Sequence, residues 1–324
     1  RILLATGSSP AELPDLPFDG KQILSSTEVL SLDAVPDRMV VIGAGAIGLE
    51  MGSVWNRLGT KVEVVEFMDA VLPGADAEIS QQLQRTLKRQ GLSFRLSTGA
   101  TGADLDDEGV KLYLAGRDSD ESDTVECDCV LVSVGRRPNT TGLGLEETGV
   151  ELTERGFVTV DGDYSTTAAG VYAIGDVTPG PMLAHKAEAE AVAAVERMTG
   201  MGSSVHYEAI PNVVYTHPEA ASVGLSEAAA QQAGPEVRTG KHLFRANARA
   251  HSMNCIDGFV KVVADAGTDR LLGVHIFGPQ ASHLIAEAVI TLEFCASAED
   301  LARTVHAHPS LSEVVREAAA SISH

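Results

Sequence analysis

The 324-residue chain is poor in lysine and has no long apolar run. Only seven of its 24 basic residues are lysines, and its formal net charge is -21. A surface so acidic argues against partners such as nucleic acid or anionic membranes. A membrane-spanning helix needs about 20 mostly apolar residues in succession, and the sequence predicts none. The length and the 44 % of hydrophobic residues suit two or three domains, each with its own core.

Cysteine is also scarce, with four residues in all and no spacing typical of a metal site. Cys127 and Cys129 flank Asp128 in VECDCVLVSVG, a segment whose composition predicts one continuous strand. Residues two apart on a strand share a face, so both thiols are expected on the same side of the sheet. We interpret them as small buried side chains in a reducing compartment and predict no metal ligands.

Strands and helices alternate through the first part of the chain. The stretches DRMVVIG, KVEVVE, VKLYLAG and CVLVSVG read as strands, and amphipathic helical patterns lie between several of them. Such alternation is typical of a parallel sheet with crossover helices, that is, an α/β fold. After about residue 210 the strands GFVKVVAD and LLGVHIFG predict an antiparallel sheet followed by helices. Boundaries are therefore expected near residues 138 and 208.

A glycine pattern links the first strong strand to the first long helix. Gly43, Gly45 and Gly48 form G-x-G-x-x-G, and Glu66 ends the next strand 23 residues after Gly43. In this context the pattern predicts a dinucleotide site whose pyrophosphate meets the helix N-terminus, where Ala46 and Ile47 lie. Glu66 would accept hydrogen bonds from the adenine ribose and repel a 2′-phosphate, which favours NAD over NADP. The alternatives are a purely structural turn and a Glu66 that is only a solvated strand end.

Glu50 lies two residues beyond the last glycine and allows two interpretations. It is either a surface carboxylate that complements the helix dipole or a contact near the nicotinamide.

Several longer motifs occur in a familiar order along essentially the whole chain. They are ATGSSP, VVIGAGAIGLEMGSVWNRLG, VVEF, SVGRRPN, YAIGDV, MLAHKAE, VVYTHPE, SVG and HAHPSLSE. In this order the chain resembles the dihydrolipoamide dehydrogenases of the pyridine nucleotide–disulfide oxidoreductase family. The resemblance implies a Rossmann-like NAD domain with a parallel sheet, a partial central FAD domain and an α+β dimerisation domain with an antiparallel sheet. It places these at residues 29–138, 139–208 and 209–324, after the end of an FAD domain and a linker at residues 1–28.

The resemblance also implies residue roles for two cofactors. Asp176 in YAIGDV would hold the ribityl chain of FAD. The residues expected beside the flavin ring are Met182, Leu183, Ala184 and His185. Gly135 in SVGRRP would belong to the nicotinamide side of the NAD site, and Ala100 would line its adenosine pocket. Ala191 stands where family members often carry glycine, which leaves the helix intact but alters its contact with the flavin region.

His308 matches the family's acid–base histidine in HAHPSLSE, and Glu313 would orient it. The implied partner is a redox dithiol on the second subunit, since a near-neutral imidazole can take a proton from a dihydrolipoyl thiol. A competing interpretation needs no catalysis, because Ser310 and Glu313 have the S-x-x-E spacing of a capping box. His306 is expected to be a supporting or a solvated residue, and His217 a structural one.

The sequence contains neither a C-x-x-x-x-C redox motif nor a first glycine fingerprint for the ADP half of FAD. We therefore expect this chain to represent the C-terminal two-thirds of such an enzyme, with an NAD site that is complete and an FAD site that is not. On its own it would be inactive. The expected activity of the complete enzyme is NAD-dependent oxidation of dihydrolipoamide through FAD and a redox disulfide.

Two other classes stay open at this point. One is a non-enzymatic, dimeric NAD-binding module, and the other is a different flavin disulfide reductase. The resemblance implies a homodimer that serves the dihydrolipoyl domain of a 2-oxo acid dehydrogenase complex or of the glycine cleavage system. The expected compartment is the bacterial cytoplasm, with the mitochondrial matrix as the alternative.

Overall fold

The computed structural model describes residues 1–118, 122–234 and 236–323. Its strands are Ile2–Leu4 (β1), Ser8–Pro10 (β2), Ile23–Leu24 (β3), Arg38–Ile42 (β4), Lys61–Val65 (β5), Ser93–Arg95 (β6), Thr98–Asp106 (β7), Gly109–Gly116 (β8), Ser122–Cys127 (β9), Cys129–Val132 (β10), Arg136–Pro138 (β11), Val171–Ala173 (β12), Asn212–Val214 (β13), Glu219–Gly224 (β14), Val237–Leu243 (β15), Phe259–Asp265 (β16) and Leu271–Gly278 (β17).

The α-helices are Ser26–Val29 (α1), Ala46–Leu58 (α2), Ala77–Arg89 (α3), Leu145–Thr148 (α4), Ala184–Met198 (α5), Glu227–Gln232 (α6), Ala248–Ser252 (α7), Ala281–Glu293 (α8), Ala298–Arg303 (α9) and Glu313–Ala320 (α10). Gly59 ends α2 in the left-handed conformation with φ 113°, as its position after the last apolar turn predicts. Among the described residues, no helix has the length and apolar character that crossing a bilayer requires.

Contacts divide the chain into two compact units. One consists of Arg1–Ala11 with Val134–Tyr207, and the other of Glu12–Ser133 with Glu208–His324. The four-part domain division made from the sequence stays a prediction.

The predicted parallel sheet is present in the larger unit. Its strand order is β3-β10-β4-β5-β6, and all four pairings are parallel. The central strands are apolar on both faces because α2 and α3 join them as crossover helices, as expected for such a sheet. The turn after β4 and the end of β5 lie at the same edge of this sheet, where the proposed dinucleotide residues are found.

VKLYLAG does not join that sheet, so this part of the prediction is wrong. It forms β8, which pairs antiparallel with β7 and β9 in a separate three-stranded sheet. The physical reason is its alternating pattern: Val110, Leu112 and Leu114 are buried, whereas Lys111 between them is exposed. A strand with only one buried face suits an antiparallel meander.

The expected strand through the two neighbouring cysteines is also wrong. Asp128 interrupts it, and its carboxylate accepts a hydrogen bond from the backbone N–H of Arg38 at 2.9 Å. Cys127 ends β9 and Cys129 begins β10. The break cancels the two-residue alternation, so the thiols pack in different core clusters. Both are buried and free, as predicted.

The antiparallel sheet expected after residue 210 has the order β13-β14-β17-β16-β15. One face packs on α8 and α10, with Val260 and Val262 among the buried residues. The other face carries Phe259 and Phe277, which share a cluster with Leu83 and Leu87 of α3. This unit therefore joins the nucleotide-type sheet and the antiparallel sheet through a common apolar layer.

The smaller unit contains two short strand pairs. Strand β1 pairs parallel with β12, and β2 pairs antiparallel with β11. The chain then turns through Gly175–Val177 and enters α5. Each short pair brings the first residues of the chain next to the segment that follows residue 133.

Candidate functional site

The glycine-rich turn after β4 has no room for side chains at two of its three glycines. A Cβ on Gly43 would lie 2.5 Å from the carbonyl oxygen of Ser133, and a Cβ on Gly48 would lie 2.1 Å from that of Gly43. Gly43 also has φ 101°, which strongly favours glycine. The Ser133 hydroxyl donates to the carbonyl of Ile42 at 2.9 Å and closes the turn against β10. Sequence reasoning missed Ser133, since only the strand pairing brings it here.

Gly45 differs because a Cβ there would meet no atom within 4 Å. It is the N-cap of α2 and provides no side-chain hydrogen bond to the first N–H groups. Ala46 and Ile47 begin this 13-residue helix and are half-buried. The open space and the uncapped N–H groups at a helix N-terminus fit a phosphate group.

Glu66 follows the end of β5 and is turned towards the glycine turn. Its Oε2 accepts from the Ala44 N–H at 2.6 Å, and its Oε1 accepts from the Met68 N–H at 2.8 Å. The residue is only 8 % exposed. The interpretation as a solvated strand end is therefore wrong. Each carboxylate oxygen can still accept a second hydrogen bond, as a ribose contact would require.

Glu50 is on the second turn of α2 and is half-buried. Its Oε1 accepts from the backbone N–H of Tyr215, just after β13. Burial raises the pKa of Glu50, and the hydrogen bond from Tyr215 opposes this only in part. The interpretation as a simple surface carboxylate does not fit this environment.

Ala100 lies on β7 and packs against the cluster of Val110, Leu112 and Leu114.

Asp176 occupies a polar turn in the smaller unit. Its Oδ2 accepts from the Ser8 hydroxyl at 2.5 Å. Arg136 donates from Nε to the Ser8 hydroxyl and from Nη2 to the Ser8 carbonyl, both at 2.6 Å. A guanidinium thus fixes the hydroxyl that holds the carboxylate. Ser8 and Arg136 lie in the quoted motifs GSSP and GRRP, but their pairing depends on the β2–β11 contact and is not visible in the sequence.

A buried ion pair on α5 holds the backbone of the same turn. Lys186 is fully buried, and its Nζ lies 3.0 Å from Oε2 of Glu190 and 3.0 Å from the Gly175 carbonyl. Glu190 in turn accepts from the Gly175 N–H at 2.7 Å. The N–H and the carbonyl group of Gly175 are therefore both hydrogen-bonded to side chains of α5. The i,i+4 spacing of Lys186 and Glu190 was a readable signal that sequence reasoning did not use.

The remaining residues expected at the flavin lie at the start of α5. Met182 and Leu183 are half-buried, whereas Ala184 and His185 in the first turn are exposed. Ala191 is partly buried and packs against the cluster that contains Ala193 and Ala194 of the same helix.

Gly135, expected on the nicotinamide side of the NAD site, has φ 125°, and its carbonyl accepts from the Ala11 N–H at 3.0 Å.

His308 and Glu313 form a pair next to the start of α10. The His308 Nδ1 lies 2.9 Å from the Glu313 Oε1, while the His308 side chain is 74 % exposed. The Glu313 Oε2 accepts from the Ser310 N–H at 2.9 Å. This backbone bond and the contact with His308 lower the pKa of Glu313. Only half of the predicted capping box forms, since the N-cap of α10 is Ser312 and the Ser310 hydroxyl contacts the Ser312 hydroxyl instead.

His306 supports this segment from the other side. Its side chain is 7 % exposed, with Nε2 2.7 Å from the Glu287 Oε2 and Nδ1 2.9 Å from the Thr304 carbonyl. Burial raises the pKa of Glu287, opposed by the hydrogen bond with His306. Of the two roles expected for His306, the solvated one is wrong. His217 is exposed and its carbonyl accepts from Gln90 Nε2 at 2.6 Å, while the structural role expected for its side chain stays a prediction.

Two family models together cover most of the chain. Residues 1–191 match the pyridine nucleotide-disulphide oxidoreductase model, and residues 210–319 match the dimerisation domain of the same family. The family uses FAD and NAD(P) as cofactors. The chain therefore carries the type of domain through which these proteins form dimers.

Individual relatives agree with the family models. The chain is 51 % identical to leghemoglobin reductase of Glycine max and 50 % identical to mitochondrial dihydrolipoyl dehydrogenase of Pisum sativum, each over 98 % of its length. It is 49 % identical to dihydrolipoyl dehydrogenase 3 of Pseudomonas aeruginosa over 99 % of its length. It spans 61 %, 64 % and 68 % of these three proteins, respectively.

Solved structures show the same similarity. The crystal structure of LpdA from Mycobacterium tuberculosis superposes with a TM-score of 0.91 at 33 % identity and covers 98 % of this chain, which spans 68 % of LpdA. The flavoprotein disulfide reductase RclA from Escherichia coli gives a TM-score of 0.87 at 25 % identity and covers 98 % of this chain, which spans 73 % of RclA. With matches to both of its domain models and half of its residues shared with curated relatives, the chain belongs to the pyridine nucleotide-disulphide oxidoreductase family.

Proposed function

We propose that this chain is the NAD-binding and dimerising part of a dihydrolipoyl dehydrogenase, which oxidises dihydrolipoamide with NAD⁺. The observation that carries the proposal is the pair of His308 and Glu313, in contact at 2.9 Å with an exposed imidazole. About half of the residues are shared with proteins named dihydrolipoyl dehydrogenase from a plant mitochondrion and from a bacterium. The proposed domain limits are residues 1–28, 29–138, 139–208 and 209–324.

NAD would bind at the turn of Gly43, Gly45 and Gly48. The uncapped start of α2, at Ala46 and Ile47, would face the pyrophosphate. Glu66 would accept from the ribose hydroxyls while it holds the turn through Ala44. Its negative charge would disfavour the 2′-phosphate of NADP. Glu50 and Gly135 would lie towards the nicotinamide, and Ala100 towards the adenosine.

The FAD residues would be Asp176 and the start of α5, from Met182 to His185. The rigidly held carboxylate of Asp176 suits a polyhydroxyl chain, because a carboxylate oxygen can accept from several hydroxyl groups. When bound at these residues, FAD would supply a two-electron redox centre between the thiol chemistry and NAD⁺. The buried pair of Lys186 and Glu190 would keep the Gly175 turn in place for this contact.

His308 would act as the base for the thiol substrate. A proton on a dihydrolipoyl thiol must leave before the sulfur can attack, because the thiolate is the nucleophile. Glu313 holds Nδ1 of His308, which leaves Nε2 to take this proton, and its negative charge would stabilise the imidazolium that results. Glu313 is itself fixed by the Ser310 N–H, so the imidazole has a defined orientation.

The proposed assembly is a homodimer whose partner is the dihydrolipoyl domain of a 2-oxo acid dehydrogenase complex or of the glycine cleavage system. The presence of the dimerisation domain supports the dimer. Relatives named as mitochondrial and relatives from bacteria are about equally similar. The proposed compartment is the bacterial cytoplasm, with the mitochondrial matrix as the alternative.

The test is His308→Gln in the full-length protein that contains this chain. Oxidation of dihydrolipoamide by NAD⁺ should fall by about 10²-fold, the usual contribution of a general base. Oxidation of NADH by ferricyanide needs no thiol deprotonation and should stay unchanged. His283→Gln, an exposed histidine on α8, is the matched control.

The outcomes separate the candidate functions. Normal dihydrolipoamide oxidation by His308→Gln would contradict the assigned base. NADH binding without any flavin-dependent activity in the wild type would favour the non-enzymatic module. Ready reduction of leghemoglobin, with no oxidation of dihydrolipoamide, would favour the activity named for the Glycine max relative.

A further inference from the structure

A row of basic side chains crosses the antiparallel sheet on the face towards α3. Lys241 on β15 pairs in register with Lys261 on β16, and Lys261 pairs with His275 on β17. Directly paired residues of adjacent strands point to the same face. The next residues along β16, Val260 and Val262, point to the opposite face and pack in the core with α8 and α10. The row is thus a polar strip within an otherwise apolar layer.

Lys261 is the buried centre of this row. Its Nζ lies 3.0 Å from Oδ2 of Asp76, 3.1 Å from Oε1 of Glu78 and 2.7 Å from Oε2 of Glu227, with a side chain only 4 % exposed. Burying an ammonium group is costly unless it is paired and hydrogen-bonded, and here three carboxylates surround it. A methionine of similar length would fill the same space without that cost. The apolar contacts of Phe259 and Phe277 already join the sheet to α3.

Asp76 connects Lys261 to the glycine turn. It is the N-cap of α3, and its Oδ1 accepts from the Glu78 N–H at 3.1 Å. Before it runs the segment of residues 67–75, which we call the 67–75 loop. Within this loop the Ala75 N–H donates to the Leu72 carbonyl at 3.0 Å, and the Leu72 N–H donates to the Ala44 carbonyl at 2.9 Å.

The other end of the loop is held by Glu66 through the Met68 N–H. The 67–75 loop is therefore attached at four points. Glu66 and the Ser97 N–H, which donates to the Met68 carbonyl at 2.9 Å, hold its start, Ala44 holds its middle, and Lys261 holds its end through Asp76. Ala44 is shared, since its N–H donates to Glu66 and its carbonyl accepts from Leu72. Two hydrogen bonds, from Ala75 to Leu72 and from Leu72 to Ala44, connect the end of the loop next to Asp76 with the glycine turn. A displacement of Asp76 would therefore be transmitted to the turn that receives the dinucleotide.

We propose that Lys261 is a positioning residue for the NAD site, which holds the 67–75 loop and thereby the glycine turn in register with the dimerisation sheet. The inference rests on the proposed NAD site. It assigns to the antiparallel sheet a role in dinucleotide affinity in addition to dimer formation. Lys261 itself touches no part of the glycine turn and acts through Asp76.

The experiment measures the NADH Kd of the chain by fluorescence titration for the wild type and three variants. Lys261→Met should raise the Kd about tenfold, within the range of couplings carried by packed networks. Lys241→Met removes the neighbouring lysine of the row, which pairs with Glu78 at the surface, and should change the Kd by less than about twofold. Val262→Ala destabilises the opposite face of the same strand and should lower the unfolding temperature without raising the Kd.

A rise in Kd shared equally by Lys261→Met and Val262→Ala would overturn the proposal, because it would reflect general destabilisation. So would a Kd for Lys261→Met within about twofold of the wild type, well below the expected coupling. If Lys261→Met does not fold, Asp76→Asn decides. Asparagine keeps the N-cap but loses the charge, and a rise of about threefold is expected; an unchanged Kd would refute the inference. A wild type without saturable NADH binding would instead refute the proposed NAD site.

Discussion

The Glu66 carboxylate accepts a hydrogen bond from the backbone N–H of Ala44 at 2.6 Å, inside the glycine turn. The residue proposed to recognise the ribose is therefore also part of the turn that receives the phosphates. This buried bond is charge-assisted, so it should be stronger than one between neutral groups. Any change at Glu66 is expected to affect both the shape of the turn and the choice of cofactor.

Glu66→Arg should weaken NADH binding and shift preference towards NADPH. The guanidinium can pair with a 2′-phosphate, but it cannot accept from the Ala44 and Met68 N–H groups. We therefore expect a large loss of NADH affinity and only a modest absolute gain for NADPH. Titration of both nucleotides against the purified variant measures this.

Asp69→Arg is the matched control because Asp69 is exposed in the 67–75 loop and receives the same change of charge. Its nucleotide preference should stay close to that of the wild type. A Glu66→Arg protein that still prefers NADH by the wild-type ratio would exclude the ribose role.

The two glycines Gly45 and Gly48 should respond differently to alanine. A Cβ at Gly48 would overlap the Gly43 carbonyl, so Gly48→Ala should reduce both the free energy of unfolding, by about 1–3 kcal/mol, and NADH affinity. A Cβ at Gly45 enters open space, so Gly45→Ala should leave stability nearly unchanged and lower only NADH affinity. Urea unfolding and NADH titration of both variants distinguish the two effects. Equal losses of stability would contradict the open space at Gly45.

The nucleotide half of the fold was predictable because its signals are local. The strand before Gly43, the helix after Gly48 and the acidic end of the next strand follow one another within a single β–α–β unit. The pairing of His308 with Glu313 was expected from the family resemblance, and the two residues lie only five positions apart in the sequence. In each case, neighbours in sequence are neighbours in space.

Contacts between distant strands were not predictable in this way. The Asp176 setting depends on Ser8 and Arg136, which meet only because β2 pairs with β11. Likewise, Lys261 appears in the sequence as a polar residue in an apolar strand. Its carboxylates come from helices whose position follows from the packing of two sheets. The alternation of Val110, Lys111 and Leu112, by contrast, was a local sign of an antiparallel strand that the parallel interpretation overlooked.

Cys127 and Cys129 should resist thiol reagents in the native protein. Burial is the main reason that the pKa rises to about 11 for Cys127 and about 12 for Cys129, so little thiolate is present near neutral pH. Cys295 is exposed and Cys255 is partly so. Titration with an aromatic disulfide reagent should therefore label the latter two before unfolding and all four after it. Rapid native labelling of Cys127 would indicate that β9 opens locally.

The ion pair of Asp76 and Lys261 predicts a specific dependence of stability on pH. Burial alone would raise the pKa of Asp76, but the hydrogen bond from Lys261, the charges of His275 and Lys261 and the hydrogen bond from the Glu78 N–H together outweigh it, so the pKa lies below the usual 3.8. A lowered carboxyl pKa contributes stability above the unfolded value, and this contribution is lost as the pH falls through the folded one. The wild type should therefore lose stability in acid below about pH 4 in part through Asp76.

Lys261→Met should change the sign of this contribution. With its cation removed, Asp76 keeps the burial that disfavours its charge, and its pKa should rise above the unfolded value. Protonation then removes the unpaired buried charge of Asp76 from the folded variant. The loss of stability relative to the wild type should therefore be largest near pH 7 and shrink towards about pH 4. Urea unfolding of both proteins across this range measures the difference. A deficit that stays constant would mean that the lost stability comes from packing and not from the unpaired carboxylate of Asp76.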